Sequence, residues 1–250
     1  MTKKIILITG ASSGIGWAIA EKLSKKGHSL ILCGRNKNKL EELSNKLKTD
    51  THILNFDVKN KEAVFKSILS IPKEFKDIDV LINNAGNAHG LAFAHESDIS
   101  DWEEMIDLNI KGLLYVTKSV LNDMVKKKSG QIINIGSIAG KESYPKGNVY
   151  CASKAAVEKF TEGLRIDLNQ FGIRVGAVHP GLVATNFSNV RFKGDEKKAN
   201  KIYEGFTPLS AKDVANCVCY MIKAPRHVNI SDFTILPTDQ ANAYILNKSH

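Results

Sequence analysis

Short apolar segments alternate with longer amphipathic segments along this chain of 250 residues. The apolar segments lie at 5–8, 29–33, 52–56, 79–82, 131–135, 174–178 and 233–236. Short segments that are apolar on both faces are typical of parallel strands covered by helices. The amphipathic segments predict helices at 14–26, 37–48, 61–70, 99–127, 149–171 and 211–223. The alternation predicts an α/β fold, a doubly wound parallel sheet with helices on both faces.

This alternation is interrupted at one place, residues 181–209, where the periodicity is weak and the charge is mixed. The segment follows the carboxyl end of a predicted strand, where ligands bind in such sheets. We therefore interpret 181–209 as a mobile substrate lid. No proline- or glycine-rich linker, internal repeat or low-complexity tract divides the rest, so we expect one domain over 1–250.

Composition and charge exclude several classes of protein. No apolar segment approaches the ~20 residues of a membrane span, so we expect no membrane association. The net charge is +9, but most of the 35 basic residues are lysines spread along helix faces, which argues against nucleic acid as a partner. The histidines, His89 and His179 included, lack metal-ligand spacing, so no metal is expected.

The four cysteines indicate a cellular compartment. They are Cys33, Cys151, Cys217 and Cys219. Neither their number nor their spacing fits a disulfide scaffold or a zinc site. We expect free thiols and a cytoplasmic protein.

A glycine-rich turn follows the first predicted strand and opens the first helix, with Gly10, Gly14 and Gly16 spaced G-x-x-x-G-x-G. Glycines let a backbone turn tightly and approach a pyrophosphate, whose charge suits a helix N-terminus. The commoner fingerprint is G-x-G-x-x-G, and a turn without a ligand is the alternative. The residues expected to bind a dinucleotide here are Thr9, Gly10, Ser12, Ser13, Gly14, Ile15 and Gly16.

The second predicted strand ends in Arg35 where an acidic residue would bind the ribose of NAD. An arginine at this place accommodates the 2′-phosphate of NADP. We therefore expect NADP(H) as the cofactor, with Lys37 or Lys39 helping Arg35. A solvated loop arginine is the alternative.

Tyr150 and Lys154 lie four residues apart in a predicted helix, so their side chains would share one face. A phenol ordinarily loses its proton near pH ~10, and a neighbouring ammonium favours the phenolate. We expect Lys154 to lower the pKa of Tyr150, which would take a proton from a substrate hydroxyl. Ser137 would hold the reacting oxygen. The alternatives are a chance spacing for the pair and a turn cap for Ser137.

In this order, the motifs resemble those of the short-chain dehydrogenase/reductase family over essentially the whole chain. They are residues 9–16, Asn83-Asn84-Ala85-Gly86, Asn109, Ser137, Tyr150 with Lys154, and Pro180-Gly181. The resemblance implies a Rossmann-like sheet of seven parallel strands. It also implies cofactor contacts from Asp57, Val58, Asn84, Ala85, Gly86, Tyr150, Lys154, Pro180, Gly181, Val183 and Thr185.

The same resemblance gives Asn109 a role with Lys154, as part of a proton relay through water. Asparagine is a poor helix former, yet Asn109 lies inside the predicted helix 99–127. A local kink without chemistry is the alternative. The expected catalytic residues are therefore Asn109, Ser137, Tyr150 and Lys154.

Three further segments, 147–150, 189–195 and 236–240, are similar to those of the NADP-dependent 3-hydroxy acid dehydrogenases. This similarity implies substrates such as serine, L-allo-threonine or 3-hydroxypropionate, and a homotetramer. Two departures affect the strictness of NADP use and the lid geometry. Asn36 stands where some relatives have a second arginine, and 183–185 is one residue shorter than in some.

A 3-hydroxy acid needs its carboxylate held, and Arg191 is the first candidate because a guanidinium matches a carboxylate bidentately. Lys193 is the second. A solvated lid charge is the simpler interpretation of both residues. The expected substrate contacts are therefore Ser137, Tyr150 and Arg191.

Three other functions are compatible with parts of the sequence. A ketone or sugar reductase would use the same catalytic residues on another substrate. An NADP-binding redox regulator would not need the proton-transfer group that Tyr150 supplies. A nucleic-acid module is motivated by charge alone.

Overall fold

Strands that are apolar on both faces build a seven-stranded parallel sheet within residues 2–248, which the computed structural model describes. The strands are β1 Ile5–Thr9, β2 Ser29–Gly34, β3 Thr51–Asn55, β4 Val80–Asn83, β5 Gly130–Ile135, β6 Ile173–Pro180, β7 Val183–Ala184, β8 Leu209–Ser210 and β9 Asp232–Ile235. The order across the sheet is β3-β2-β1-β4-β5-β6-β9, and β7 and β8 form a separate two-stranded sheet. The predicted sheet is confirmed. The single domain predicted over 1–250 extends beyond the described residues at both ends.

Helices cover both faces of the sheet. They are α1 Gly14–Ser24, α2 Lys37–Lys46, α3 Lys61–Leu69, α4 Ile99–Ile106, α5 Leu113–Lys126, α6 Asn148–Leu168, α7 Phe187–Arg191, α8 Glu196–Lys201 and α9 Ala211–Lys223. Successive residues of β1 point to opposite layers: Ile6 and Ile8 pack with α1 and α9, whereas Leu7 packs with α3, α5 and α6. This two-sided burial explains why β1 lacks a polar face, whereas the edge strand β9 alternates exposed Asp232 and Thr234 with partly buried Phe233 and Ile235.

The sheet reverses its strand order beside β1, which pairs with β2 on one side and β4 on the other. The Thr9 hydroxyl holds together the two segments that follow β1 and β4. It accepts hydrogen bonds from the backbone N–H groups of Asn84 and Ala85, both at 3.0 Å. The Asn84 side chain donates back to the Thr9 carbonyl at 2.9 Å. This switch point is where open α/β sheets bind their ligands.

The predicted single helix 99–127 is wrong in one respect, because a π-helical segment, Asp107–Gly112, separates α4 from α5. The interruption centres on Asn109, whose side chain is buried and hydrogen-bonded outside the helix. A widened turn of this kind is frequent at functional sites.

Residues 181–209 contain more regular structure than their weak periodicity indicates, namely β7, α7, α8 and the first residue of β8. Tertiary hydrogen bonds hold these short elements. The Tyr203 hydroxyl donates to the Val183 carbonyl at 3.0 Å and meets the Ser188 hydroxyl at 2.8 Å. The Gln240 side chain accepts from the backbone N–H of Leu182 at 2.9 Å.

No helix in the described part of the chain is long and apolar enough to cross a membrane.

Two glycines should respond oppositely to alanine. Gly163, on α6, has open space where a Cβ would stand, so Gly163→Ala should raise the free energy of unfolding by about 0.5–1 kcal/mol. At Gly176, on β6, a Cβ would overlap the Ile230 carbonyl and would lie 2.9 Å from the Met221 methyl carbon. Gly176→Ala should therefore lower it by roughly 1–3 kcal/mol. Urea unfolding at one protein concentration measures the change in the free energy of unfolding for each variant. Equal changes in the two variants would contradict the packing described.

Candidate active site

The glycine-rich turn between β1 and α1 adopts a conformation that requires glycine at two positions. Gly10 and Gly14 have φ of 65° and 53°, in the left-handed region. Gly16 lies so close to the Gly10 carbonyl that a Cβ would overlap it. The Ser13 side chain makes no capping hydrogen bond at the N-terminus of α1, so it does not occupy the helix N–H groups there. A pyrophosphate group fits this arrangement.

Residues from distant parts of the chain lie close to this turn. A Cβ on Gly14 would lie 3.5 Å from the Thr185 side chain of the 181–209 segment. The Ser12 hydroxyl would lie 3.2 Å from a Cβ on Gly34, at the end of β2. Pro180 ends β6, and Gly181 donates its N–H to the Ile235 carbonyl at 2.8 Å. The structure thus brings the predicted contacts from β1, β2 and β6 to one edge of the sheet.

Arg35 projects beyond the end of β2 with 62% of its side chain exposed, and its guanidinium is 3.7 Å from the Asp57 carboxylate. Its predicted helpers do not join it. Lys37 pairs with Glu41 at 3.7 Å, and Lys39 pairs with Glu42 at 2.8 Å. Lys59 also lies beside Asp57, with its Nζ 3.9 Å from the carboxylate, but it is paired with Glu104 at 2.7 Å. Arg35 is the more exposed of these two cations and can turn toward a bound phosphate.

Asn109 and Lys154 lie on either side of Gly86. A Cβ on Gly86 would stand 3.1 Å from the Asn109 Oδ1 and 3.2 Å from the Lys154 Nζ, so the absence of a side chain admits both groups. The Asn109 amide donates to the Asn87 carbonyl at 2.7 Å and to the Ser153 hydroxyl at 3.0 Å. Its oxygen accepts from the Asn87 N–H at 2.8 Å. The widened helical turn is thus fastened to α6.

Tyr150 and Lys154 share the buried face of α6, as their spacing predicts. The Lys154 ammonium donates to the Ile135 carbonyl at 3.0 Å, at the end of β5. Ser137 follows that strand and caps the 3₁₀ turn Ile138–Gly140 by accepting from the Ala139 N–H at 3.1 Å.

The expected lowering of the Tyr150 pKa is wrong for the protein's own residues. Burial, followed by the neighbouring Tyr144, raises the pKa of Tyr150 well above its usual range. The opposing influences come from Ser137 and from the positive charge of Arg191. Burial also lowers the pKa of Lys154 to about 8. Desolvation therefore dominates both groups, because it disfavours each charged form.

A cavity of about 150 Å³ opens beside the Tyr150 ring. Its walls come from the β4–α4 connection, α4, residues 146–150 and Arg191, and they include His89, Asp101, Trp102 and Lys146. The Arg191 Nε donates to the Gly90 carbonyl at 3.0 Å. Lys193, the second carboxylate candidate, is instead paired with Asp101 at 2.9 Å. The cavity therefore has Tyr150 on one wall and Arg191 on another.

The two histidines occupy different surroundings. His89 lines the cavity, and burial lowers its pKa. His179 is buried on β6 with Nε2 3.6 Å from the Asp232 carboxylate, and burial lowers its pKa too. Among residues 2–248, no group of three or more His, Cys, Asp or Glu side chains is arranged to hold a metal.

Sequence reasoning missed several residues that complete this site. Asn87 and Ser153 fix Asn109, and Tyr144 lies beside both Tyr150 and Arg191. Asn87 directly follows the predicted turn 83–86, which is a usable signal. Tyr144 has no comparable signal, because its role depends on a long-range contact with α7.

Comparisons with known proteins extend these observations. The family model for short chain dehydrogenase matches residues 4–196. The NADP-dependent 3-hydroxy acid dehydrogenase YdfG of Escherichia coli strain K12 is 45% identical over 240 residues, which are 96% of this chain and 97% of that protein. The serine 3-dehydrogenase of Rhizobium radiobacter is 40% identical over 238 residues, 95% of this chain and 95% of that protein.

A solved structure agrees with the fold and the sequence at once. The closed form of serine dehydrogenase complexed with NADP+ superposes with a TM-score of 0.93 at 44% identity, covering 98% of this chain and 99% of that chain. The family resemblance expected from the motifs is confirmed. The chain belongs to the short-chain dehydrogenase family, and it is an oxidoreductase.

Proposed function

We propose that this protein interconverts a 3-hydroxy acid and its 3-oxo acid with NADP(H), using Tyr150 as the proton-transfer group. One observation carries the proposal: a small cavity places Arg191 beside the buried Tyr150 at the carboxyl edge of the sheet. A cation beside the proton-transfer group suits an acid whose carboxylate lies close to its reacting hydroxyl. The names of the relatives, a 3-hydroxy acid dehydrogenase and a serine 3-dehydrogenase, support the same substrate class.

Different groups of residues bind different parts of the dinucleotide. The turn 9–16 and the N-terminus of α1 hold the pyrophosphate, and Arg35 binds the 2′-phosphate. Asp57 and Val58 lie by the adenine, Asn84, Ala85 and Gly86 line the cleft, and Pro180, Gly181, Val183 and Thr185 lie near the nicotinamide. Lys154 binds the nicotinamide ribose. When bound, the cofactor accepts or donates the hydride and, in its oxidised form, adds positive charge to the cleft.

The chemistry of the chain's own residues is proton transfer. Tyr150 takes the proton of the substrate hydroxyl during oxidation and returns it during reduction. Ser137 holds the reacting oxygen by hydrogen bond, where charge develops in the transition state. Asn109, across Gly86 from Lys154, passes protons to Lys154 through water.

Arg191 holds the substrate carboxylate. Its Nε is already bound to the Gly90 carbonyl, which leaves the two terminal nitrogens of the guanidinium for a carboxylate. Lys193 is a weaker candidate, since Asp101 compensates its charge. The volume of about 150 Å³ suits a small acid such as serine, L-allo-threonine or 3-hydroxypropionate.

Three wider proposals accompany this function. Residues 181–209 form a lid over the substrate, because they carry Arg191 and Thr185 to the cavity and the cofactor turn. The enzyme acts as a homotetramer, as the resemblance implies. It works in the cytoplasm, where its four buried free thiols remain reduced.

NADP-linked absorbance tests the function with a matched panel: L-serine, L-allo-threonine, 3-hydroxypropionate, 3-hydroxyisobutyrate, and the methyl ester of each of the last two acids. The acids should be oxidised with lower KM than their esters, and Arg191→Ala should remove most of that difference. Turnover of neutral ketones or sugars with no turnover of the acids would overturn the proposal.

Arg35 should set the cofactor preference. Arg35→Asp should lower the NADP/NAD ratio of kcat/KM by about 10- to 100-fold, since hydrogen bonds to charged groups are worth roughly 1.5–3 kcal/mol. Lys39→Asp makes the same charge change nearby, on a lysine already paired with Glu42, and should leave the ratio almost unchanged. The assignment fails if the two variants shift the ratio equally.

Lys154 should make stability depend on pH. Its pKa is lowered from 10.5 to about 8, so between these values the unfolded chain binds a proton that the folded chain does not. Stability then rises with pH across this window, by at most about 1.4 kcal/mol per pH unit. Urea unfolding of the wild-type protein and Lys154→Met should therefore diverge in favour of the wild type as pH rises. The free energy of unfolding of Lys118→Met, at an exposed lysine of α5, should change with pH as that of the wild type does. If Lys154→Met also followed the wild type at every pH, the burial effect would be absent.

A further inference from the structure

The guanidinium of Arg191 lies against two tyrosine rings, with its Cζ 5.5 Å from the centroid of Tyr144 and 5.7 Å from that of Tyr150. Two hydrogen bonds fix it there. The Nε donates to the Gly90 carbonyl at 3.0 Å, and the Gly90 N–H donates to the Arg191 carbonyl at 3.0 Å. Both the side chain and the backbone of Arg191 are thus held by the opposite wall of the cavity.

The Tyr144 side of this arrangement is also fixed. The Tyr144 ring lies on Gly147 so closely that a Cβ there would overlap it. Burial raises the pKa of the Tyr144 phenol, and the charge of Arg191 opposes that rise. Phe187, on α7, meets the Tyr150 ring edge-on at a centroid distance of 5.7 Å. The cation is therefore held between two phenols by aromatic packing and backbone contacts.

The polar groups that act on Tyr150 are Cys151 on α6, Ser137 at the 3₁₀ turn, Tyr144, and Arg191 on α7. Lys154 lies one turn further along α6. The charged or titratable groups in the adjoining cavity are His89, Glu96, Asp98, Asp101 and Lys146. Lys154 donates to the Ile135 carbonyl, and Lys193 is paired with Asp101. The positive charge of Arg191 favours the phenolate of Tyr150.

We propose that Arg191 is a positioning residue for proton transfer, which supplies from the lid the positive charge that helps Tyr150 release its proton. The contact of α7 with Gly90 then also places the charge of Arg191 beside Tyr150, so the same contact prepares Tyr150 to release its proton. The direction of proton transfer rests on the proposed function. The electrostatic contact itself does not.

A charged substrate should reveal this role. A carboxylate bound to Arg191 compensates part of its charge, so a 3-hydroxy acid weakens the help that Tyr150 receives. The methyl ester of the same acid leaves that charge in place. In the wild-type enzyme, the acidic limb of kcat should therefore lie at higher pH for 3-hydroxyisobutyrate than for its methyl ester. The ester isolates the effect of Arg191, because it brings no negative charge of its own to Tyr150.

The test compares the pH profile of kcat/KM for methyl 3-hydroxyisobutyrate among three variants and the wild type. Arg191→Met should move the acidic limb to higher pH by about one unit, because an opposite charge at this distance is lost. Arg191→Lys keeps the charge and should restore most of the wild-type profile. Lys201→Met removes an exposed lysine of the same segment, on α8, and should leave the limb in place.

A second readout needs no turnover. The protein is labelled with 3-fluorotyrosine, which acidifies the phenols, and Tyr150→Phe identifies the Tyr150 resonance by fluorine NMR. The Tyr150 resonance should titrate at higher pH in Arg191→Met than in the wild type, with Lys201→Met unchanged. This measurement also shows that Arg191→Met has kept the folded site.

The two roles of Arg191 fail separately. An Arg191→Met enzyme whose KM for the acid rises while the ester limb and the Tyr150 titration stay at the wild-type pH overturns the positioning role and leaves the carboxylate role intact. A shifted limb and titration with an unchanged KM for the acid support the positioning role and overturn carboxylate binding by Arg191.

Discussion

Desolvation of Tyr150 and Lys154 is the constraint on which the site depends. Both side chains lie on the buried face of α6, where the low-polarity surroundings raise the pKa of the phenol and lower that of the ammonium to about 8. A phenolate in such a place requires polar groups that favour it. Ser137 and Arg191 are those groups in the chain itself, and each arrives from a different element.

The parallel sheet brings these elements together. The ends of β4 and β5 supply Gly86 and the Ile135 carbonyl, and Lys154 lies beside both. The Thr9 hydroxyl joins the β1 and β4 ends, which sets the cofactor turn beside Gly86. The widened helical turn then fixes Asn109 across from Lys154. The groups proposed for proton transfer and for cofactor binding therefore lie at one sheet edge and not on a single loop.

The sheet and the cofactor turn were predictable because their signals are local. Strands apolar on both faces and glycines at a strand-to-helix turn have few other interpretations. The pairing of Lys37 and Lys39 with glutamates was also readable, from helical spacings of four and three residues. This pairing compensates the charges of Lys37 and Lys39, so Arg35 is the stronger candidate for a 2′-phosphate.

The remaining features depend on contacts distant in sequence. The π-helical segment is fastened by Asn87 and Ser153, and the 181–209 elements by Tyr203 and Gln240. The direction of the Tyr150 pKa shift follows from burial, which spacing along a helix cannot give. The position of Arg191 against two tyrosine rings requires the folded segment 181–209.

The central claim is that Tyr150 transfers the substrate proton. The most direct test uses the variant Tyr150→Phe. Calorimetry measures its NADP binding, and a single-turnover experiment measures its rate of hydride transfer from a 3-hydroxy acid. The phenylalanine keeps the ring packed against Phe187 and removes only the hydroxyl. Unchanged NADP affinity with hydride transfer slowed by about 10²–10⁴-fold is the predicted result. Hydride transfer at a near-normal rate, with the cofactor bound as tightly as in the wild type, would contradict the claim.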